Sequence, residues 1–415
     1  ANRSWYEGLL WPAWYSRTDN FVINRQFAAC RDFITPGGDV LTYKSAKFST
    51  GAGATQIIPQ VLEQSGRYPL CQITVDGRAQ YIEDYINGNY HTESESNADR
   101  IVTNVVRTGM GVTMTRKVYA FSQQYHDNYF IYEYTFENTG HIDDDPDPKV
   151  FNEIKDFYFG MISRYATSSE MNYITNLRQG TWGKHQWVYH TPMKDDPELP
   201  FYYTWLGQAL TTDISLDYDN IGGPVLPAED PYDEARIRCP QFAGMAVLHT
   251  DKAWNDESND RSKVRTAWYV GDNNPPEGAD QQVWQLLNDN FEDRATFDLT
   301  FEDYADHKLA DRLAPMEVLQ HASGGTSGYL SFGPYDIPHG ESVKIVIAEG
   351  VSGLSRRKSV EVGKKWYRAY QGNTVDLDLP AAPVYRDPEP VHPDAEPKDV
   401  YKNMWVYTGK DSIVQ

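Results

Sequence analysis

The stretch from Val112 to Asn138, VTMTRKVYAFSQQYHDNYFIYEYTFEN, constrains the fold of this chain more than any other. In its second half Phe130, Tyr132, Tyr134 and Phe136 alternate with Ile131, Glu133, Thr135 and Glu137, the period-two pattern of a strand with two unlike faces. In its first half Val112, Met114, Val118 and Ala120 share one face, and Arg116 interrupts that apolar row. The polar connection from Ser122 to Asn128 is too long for a tight turn. An isolated pair of strands is not stable in water, so the aromatic face requires a second layer. The fold class this implies is all-β: a large antiparallel β-sandwich or supersandwich with peripheral helices.

The rest of the chain can be placed around that hairpin. Phe21 to Phe33 and Val40 to Phe48 read as strands separated by the turn Thr35-Pro36-Gly37-Gly38-Asp39. Short strands are expected in IIPQVL and LCQITV, then at Ile101–Val106, Phe151–Met161, Trp182–His190, Phe201–Leu206, Phe242–His249, Tyr329–Tyr335 and Ser342–Glu349. Residues 281 to 323 change to a three-and-four spacing, which predicts one or two helices with a break before Thr300. Gly324 to Gly328 reads as a flexible connection, and Ser355 to Tyr370 as a helix. Three segments follow: residues 1–372 as a sandwich domain with an aromatic N-terminal arm, 373–400 as a proline-rich acidic linker, and 401–415 as the start of a further segment.

Charge and cysteine content narrow the function classes. A formal net charge of −21 opposes binding to nucleic acid or to an anionic membrane surface, both of which require a basic footprint. No apolar run approaches the length of a membrane-spanning helix, so membrane insertion is not expected. Cys30, Cys71 and Cys239 allow at most one disulfide, of which Cys30–Cys71 is one pairing, and they give no CxxC metal spacing. The chain begins at Ala1, as a mature protein does after leader removal, which points to export: a secreted, extracellular or cell-surface protein.

Candidate sites are acidic and aromatic. Asp143, Asp144, Asp145 and Asp147 crowd one loop with hard oxygen donors suited to Ca²⁺, although the spacing is not that of an EF-hand. A second loop, Asp213, Asp217, Asp219 and Asn220 followed by Gly222, alternates oxygen ligands ahead of a glycine that permits a sharp fold. The metal set this suggests is Asp213, Asp217, Asp219, Asn220, Asp143 and Asp145, with calcium as the cofactor. No Gly-x-Ser-x-Gly elbow or phosphate loop is present, so no catalytic residue and no organic cofactor site is assigned. Glu133 and Asp156 are the carboxylates of greatest interest for glycoside chemistry, because both lie on predicted strands. Trp5, Trp11, Trp14 and Tyr15 offer flat rings for a sugar or a neighbouring subunit.

Several blocks together, TRKVYAFSQQYHDNYFIYEYTFENTG, FNEIKDFYFGMI, SLDYDNIGG, FAGMAVL and above all YLSFGPYDIPHGESVKIVIAEG, carry a family resemblance. They resemble poorly characterised large secreted surface proteins of Bacteroidota-like bacteria, which often have fibronectin type III modules and a C-terminal sorting domain. That resemblance implies export and brings no catalytic residues with it. The expectation is an exported structural protein without catalytic activity, whose partners are other surface-protein subunits or copies of itself. The alternative is a polysaccharide-binding or polysaccharide-active protein, hydrolase-like or lyase-like.

Overall fold

The structure, a computed structural model, describes residues 21–48, 57–69, 73–75, 78–80, 90–123, 126, 128–166, 186–190, 199–206, 241–270, 280–288, 326–353 and 361. The strands are β1 (Phe21–Ile34), β2 (Val40–Lys47), β3 (Ile57–Gly66), β4 (Ile73–Val75), β5 (Arg78–Gln80), β6 (Tyr90–Thr92), β7 (Arg100–Thr108), β8 (Val112–Ala120) and β9 (Tyr129–Asn138). They continue with β10 (Ile154–Ala166), β11 (Gln186–His190), β12 (Phe201–Leu206), β13 (Gln241–Ala253), β14 (Asp256–Asn259), β15 (Val264–Val270), β16 (Thr326–Ile337) and β17 (Ser342–Gly353). The α-helix α1 (Asp280–Asn288) lies between β15 and β16 in the chain, and a short 3-10 turn, Arg261–Lys263, precedes β15.

Two sheets account for most of these strands. The smaller has five, in the order β15-β16-β10-β1-β2; the larger runs β11-β12-β13-β17-β9-β8-β7-β3-β6, with β14 paired to β13. The expected hairpin is β8–β9 and lies inside the larger sheet, β8 against β7 and β9 against β17. Its aromatic face points inward as the alternation required: Tyr132, Tyr134 and Phe136 are buried, while Glu133 and Glu137 face outward.

The smaller sheet is covered on both faces. Ala28, Cys30, Phe157, Phe159, Met161, Leu330 and Phe332 meet the inner face of the larger sheet in one continuous core. Phe27, Ala29, Tyr158, Ile162 and Tyr329 point the other way and pack under Val283, Leu286 and Leu287 of α1. Gly160 is required at that second contact, because a Cβ there would run into the Leu287 side chain. The helix end is fastened by side chains of the sheet: Tyr329 and Ser331 hydroxyls donate to the carbonyls of Leu286 and Leu287 at 3.0 and 2.7 Å.

Some expectations need correction. β16 begins at Thr326, so the stretch read as a flexible Gly324–Gly328 connection enters the sheet, where Gly328 gives Tyr202 room to pack. β14 and β15 had no counterpart in the sequence reading; β14, DESN, has no apolar residue to mark it. Cys30 is a free thiol buried in the core, its Sγ donating toward Met110 Sδ at 3.9 Å, so it forms no bridge with Cys71. Burial pushes that thiol up to about 12, which leaves it unreactive at neutral pH. Of the expected helices, α1 coincides with the start of the first; the rest of 289–325, almost all of the proposed Ser355–Tyr370 helix, the N-terminal arm and the proline-rich segment lie outside the described residues.

Candidate functional site

The first candidate lies between the sheets. Along the inner face of the larger sheet the register sets Tyr202, Met245, Glu349 and Phe130 side by side on β12, β13, β17 and β9. Glu349 shares the inward parity of Val343, Ile345 and Ile347, so the sheet carries a carboxylate into the core. From the smaller sheet Tyr165 descends and donates its hydroxyl to Glu349 Oε1 at 2.7 Å, and Tyr132 donates to the same carboxylate. Arg116, the residue that broke the apolar row of β8, is explained by this group. It stands opposite Tyr134 and supplies positive charge toward both Tyr134 and Glu349. Gln26 on β1 donates to the Tyr134 hydroxyl at 2.9 Å and so closes the network across the two sheets.

Electrostatics follow from burial. Loss of water raises the Glu349 carboxyl above its ordinary 4.5, against the lowering effect of the Tyr132 and Tyr165 hydrogen bonds and of Arg116. Burial likewise raises Tyr134, to about 12, and carries Tyr132 and Tyr165 well above their usual range. The Tyr202 hydroxyl, also buried, lies beside Ser163 and Tyr165 and extends the polar group toward β12. A fully enclosed carboxylate held by tyrosines and a guanidinium ties two sheets together, because each member is costly to leave unpaired.

A second polar group pins β13 to its neighbours where the β13–β17 register shifts between Val247 and His249. Asp251 is buried there, accepting from the Lys344 backbone N–H at 2.7 Å while its other oxygen meets His249 Nε2 at 2.7 Å. Thr250 and Tyr335 share a short hydroxyl contact across the sheets.

The acidic loop after β9 is partly compensated by the chain itself. Lys149 Nζ lies 2.5 Å from Asp143 and 3.2 Å from Asp145, and Arg107 donates to the backbone carbonyls of both. Hydrogen bonds from Lys149 and the Asp145 backbone N–H hold the Asp143 carboxyl below the usual carboxylate range, and those from the Asp147 backbone N–H and Lys149 do the same for Asp145. Among the described residues no three metal-ligating side chains converge. Asp213, Asp217, Asp219 and Asn220 lie outside those residues. Glu133 and Asp156 are not brought together: Glu133 lies on the outer face of the larger sheet, within 3.4 Å of the Tyr119 hydroxyl that donates to it, whereas Asp156 is on the smaller sheet, 3.7 Å from Arg31.

The outer face of the larger sheet is the third candidate, and the sequence reading passed over it. One row across it is Phe201, Ala246, Ala348, Ile131 and Tyr119; the row beside it is Tyr203, Gly244, Gly350 and Tyr129. Phe201 and Tyr203 stack with centroids 6.1 Å apart at 14°, and Phe121 and His126 pack against Tyr129 at the other end. Farther along the same strands the face turns polar, through the rows Val346-Glu133-Lys117 and Lys344-Thr135-Thr115.

No known protein family matches this chain, and no curated protein matches it. Among the described residues no helix is long and apolar enough to cross a membrane.

Proposed function

We propose that this chain is an exported, non-catalytic scaffold of the cell surface or extracellular space, which assembles with copies of itself or with other surface subunits. The observation that carries the reading is a contrast between sheet edges. β3 lies near one edge of the larger sheet and is blunted: Pro59 removes a donor, the register slips between Pro59 and Val61, and β6 covers its end. β2, at the edge of the smaller sheet, keeps an unbroken alignment with β1 and presents Val40, Leu41 and Thr42 to solvent, Val40 at 61% exposure, with no proline or charge among the three. An exposed apolar stretch of edge strand is a template for strand addition, and the charges of β2, Lys44 and Lys47, lie beyond it.

The test is particle mass by light scattering across a concentration series. The intact protein is expected to assemble, and Val40→Lys with Leu41→Lys to lower the mass. A monomer at every concentration removes the reading. Calcium belongs to the same proposal, at Asp213, Asp217, Asp219 and Asn220 and, where it would compete with Lys149, at Asp143 and Asp145. Equal thermal midpoints with calcium and with chelator remove that part.

A second reading, polysaccharide binding, is favoured by one observation: the two aromatic rows on the outer face of the larger sheet.

A further inference from the structure

We infer that the corner of the larger sheet where β3, β6 and β7 meet carries a binding site for an acidic sugar, a pyranose ring bearing a carboxylate, held by Arg100 and Arg67 with Tyr68 beside them. The inference rests on the saccharide reading for its ligand class and on this corner alone for its site; it does not depend on assembly.

Backbone pairing builds the corner. At the end of β3, Gly66 lies opposite Arg100 of β7 and Thr92 of β6, and the Arg67 N–H donates to the Asp99 carbonyl at 3.3 Å. Gly66 is required there, because a Cβ would run into the Arg100 guanidinium and the Tyr90 hydroxyl. Over the glycine the Arg100 guanidinium lies on the Tyr90 ring, 5.2 Å from its centroid. Its Nη1 donates to the Tyr90 hydroxyl at 2.9 Å and to the Asp99 carbonyl at 3.2 Å, and the Tyr90 hydroxyl donates in turn to the Tyr68 carbonyl. Beside this group the Arg67 guanidinium sits 5.7 Å from the centroid of the Tyr68 ring, which is 60% exposed.

These two arginines differ from others in the molecule by what they lack. Arg31 pairs with Asp156, Arg107 is spent on two loop carbonyls, and Arg116 serves the Glu349 group. Arg67 and Arg100 have no ion-pair partner, in a chain with 59 acidic residues. The Nε–Nη2 edge of Arg100 makes no hydrogen bond within the protein and reaches solvent. Acids of the corner are engaged elsewhere: Asp99 accepts from the Ser122 backbone N–H at 2.7 Å and hydroxyl at 2.9 Å, and Glu63 faces His91 at 4.0 Å. One guanidinium is therefore fixed through Nη1 with its forked edge free, the geometry that receives a carboxylate by two parallel bonds.

Ring, area and charge choose the occupant. The exposed Tyr68 ring suits the C–H face of a pyranose, for which an acidic peptide has no counterpart. Four side chains fall far below the roughly 800 Å² that each partner contributes to a standard protein interface, so a protein docked here alone would not be held. Nucleic acid and anionic membranes need a broad basic footprint, whereas two arginines suffice for one carboxylate. The net charge of −21 does not oppose this, because physiological salt screens charges beyond about 8 Å and the adjacent arginines decide.

The experiment is isothermal titration calorimetry of the full chain with oligomers of galacturonate, of mannuronate and of hyaluronan. Laminarin oligomers are the neutral comparator and a glutamate oligomer the peptide comparator. At least one uronate oligomer is expected to bind more tightly than both comparators. Arg100→Lys, which keeps the charge and loses the fork, should weaken that binding about tenfold, the worth of one charged hydrogen bond. Tyr68→Ala should weaken it as well, while Lys252→Ala, which removes a positive charge on β13, leaves it unchanged. Near-ultraviolet circular dichroism checks folding, and Arg67→Gln takes the place of Arg100→Lys if that variant does not fold. Wild-type affinity in the folded arginine variant overturns the inference, as does a glutamate oligomer that binds as tightly as the uronates. Binding of laminarin alone overturns this site and keeps the saccharide reading; binding of no glycan removes both.

Discussion

The interior between the two sheets has two halves built on the same pleat and held in opposite ways. Toward one end, Phe136, Phe157, Phe159 and Phe332 interlock with centroid separations between 4.6 and 6.1 Å among contacting rings, beside Met114 and Ile345. Toward the other, Glu349, Tyr165, Tyr132, Tyr134, Arg116 and Gln26 replace that packing with directed hydrogen bonds and charge. The apolar half gains from volume and tolerates similar shapes; the polar half gains from pairing and tolerates few changes of chemistry. The difference teaches that a sandwich core can be fixed in register by a small polar group while its bulk supplies the driving force.

The largest effect should come from the apolar half. Phe159→Ala empties a site that touches Tyr134, Phe136, Phe332 and Phe48, and is expected to cost about 3–5 kcal/mol in urea unfolding. A loss under about 1 kcal/mol would mean that the aromatic stack adds little. In the polar half Glu349→Gln keeps the shape but weakens the bonds to Tyr132 and Tyr165, at a cost of about 1–3 kcal/mol near neutral pH.

Titration separates the halves more sharply than truncation. The folded Glu349 carboxyl is raised, so its contribution is greatest below the ordinary 4.5 and declines as pH rises through the folded value. Glu349→Gln should flatten that part of the stability profile, while Phe159→Ala should shift the whole profile without reshaping it; identical shapes would contradict the assignment. The raised tyrosines act at the other extreme. Their contribution is full below the ordinary 10 and is lost as pH rises toward their folded values, about 12 for Tyr134. Tyr165→Phe should therefore lessen alkaline destabilisation, read as the change in urea midpoint between about pH 9 and about pH 11, roughly one unit either side of the ordinary tyrosine value.

The smallest effect tests direction along a single strand. Glu133→Gln, one residue from Tyr132 but on the outer face, should stay within about 0.5 kcal/mol. A larger loss would place that carboxylate in the same class as Glu349.

The apolar half was readable because alternation is a property of neighbouring residues. Phe130 to Phe136 and Val343 to Ile347 announce their faces without reference to the rest of the chain. The polar half left two marks in the sequence, Arg116 and Glu349, each breaking an inward row. Their meaning depends on strands more than one hundred residues apart becoming neighbours across the sandwich, 184 for Tyr165 and Glu349, and no local pattern records that. The outer aromatic row was invisible for the same reason: Tyr129, Tyr203, Gly244 and Gly350 become one row only through the order of four strands. The acidic loop shows the opposite failure, since Asp143 and Asp145 stood out while Lys149, which answers them, was within six residues and was not weighed.

The position of β10 has a consequence for how the molecule opens. It is the central strand of the smaller sheet, bonded to β1 and β16, with the larger sheet on one face and α1 on the other. The amide hydrogens of its buried run, residues 157–163, have no route to solvent short of separating the layers, so they should exchange with deuterium only as fast as the whole sandwich unfolds. β3, paired fully on one side only and interrupted at Pro59, should exchange through local fraying long before that. Deuterium uptake therefore gives two clocks in one molecule, and the gap between them measures how much of the total stability the buried strand reports and the border strand never feels.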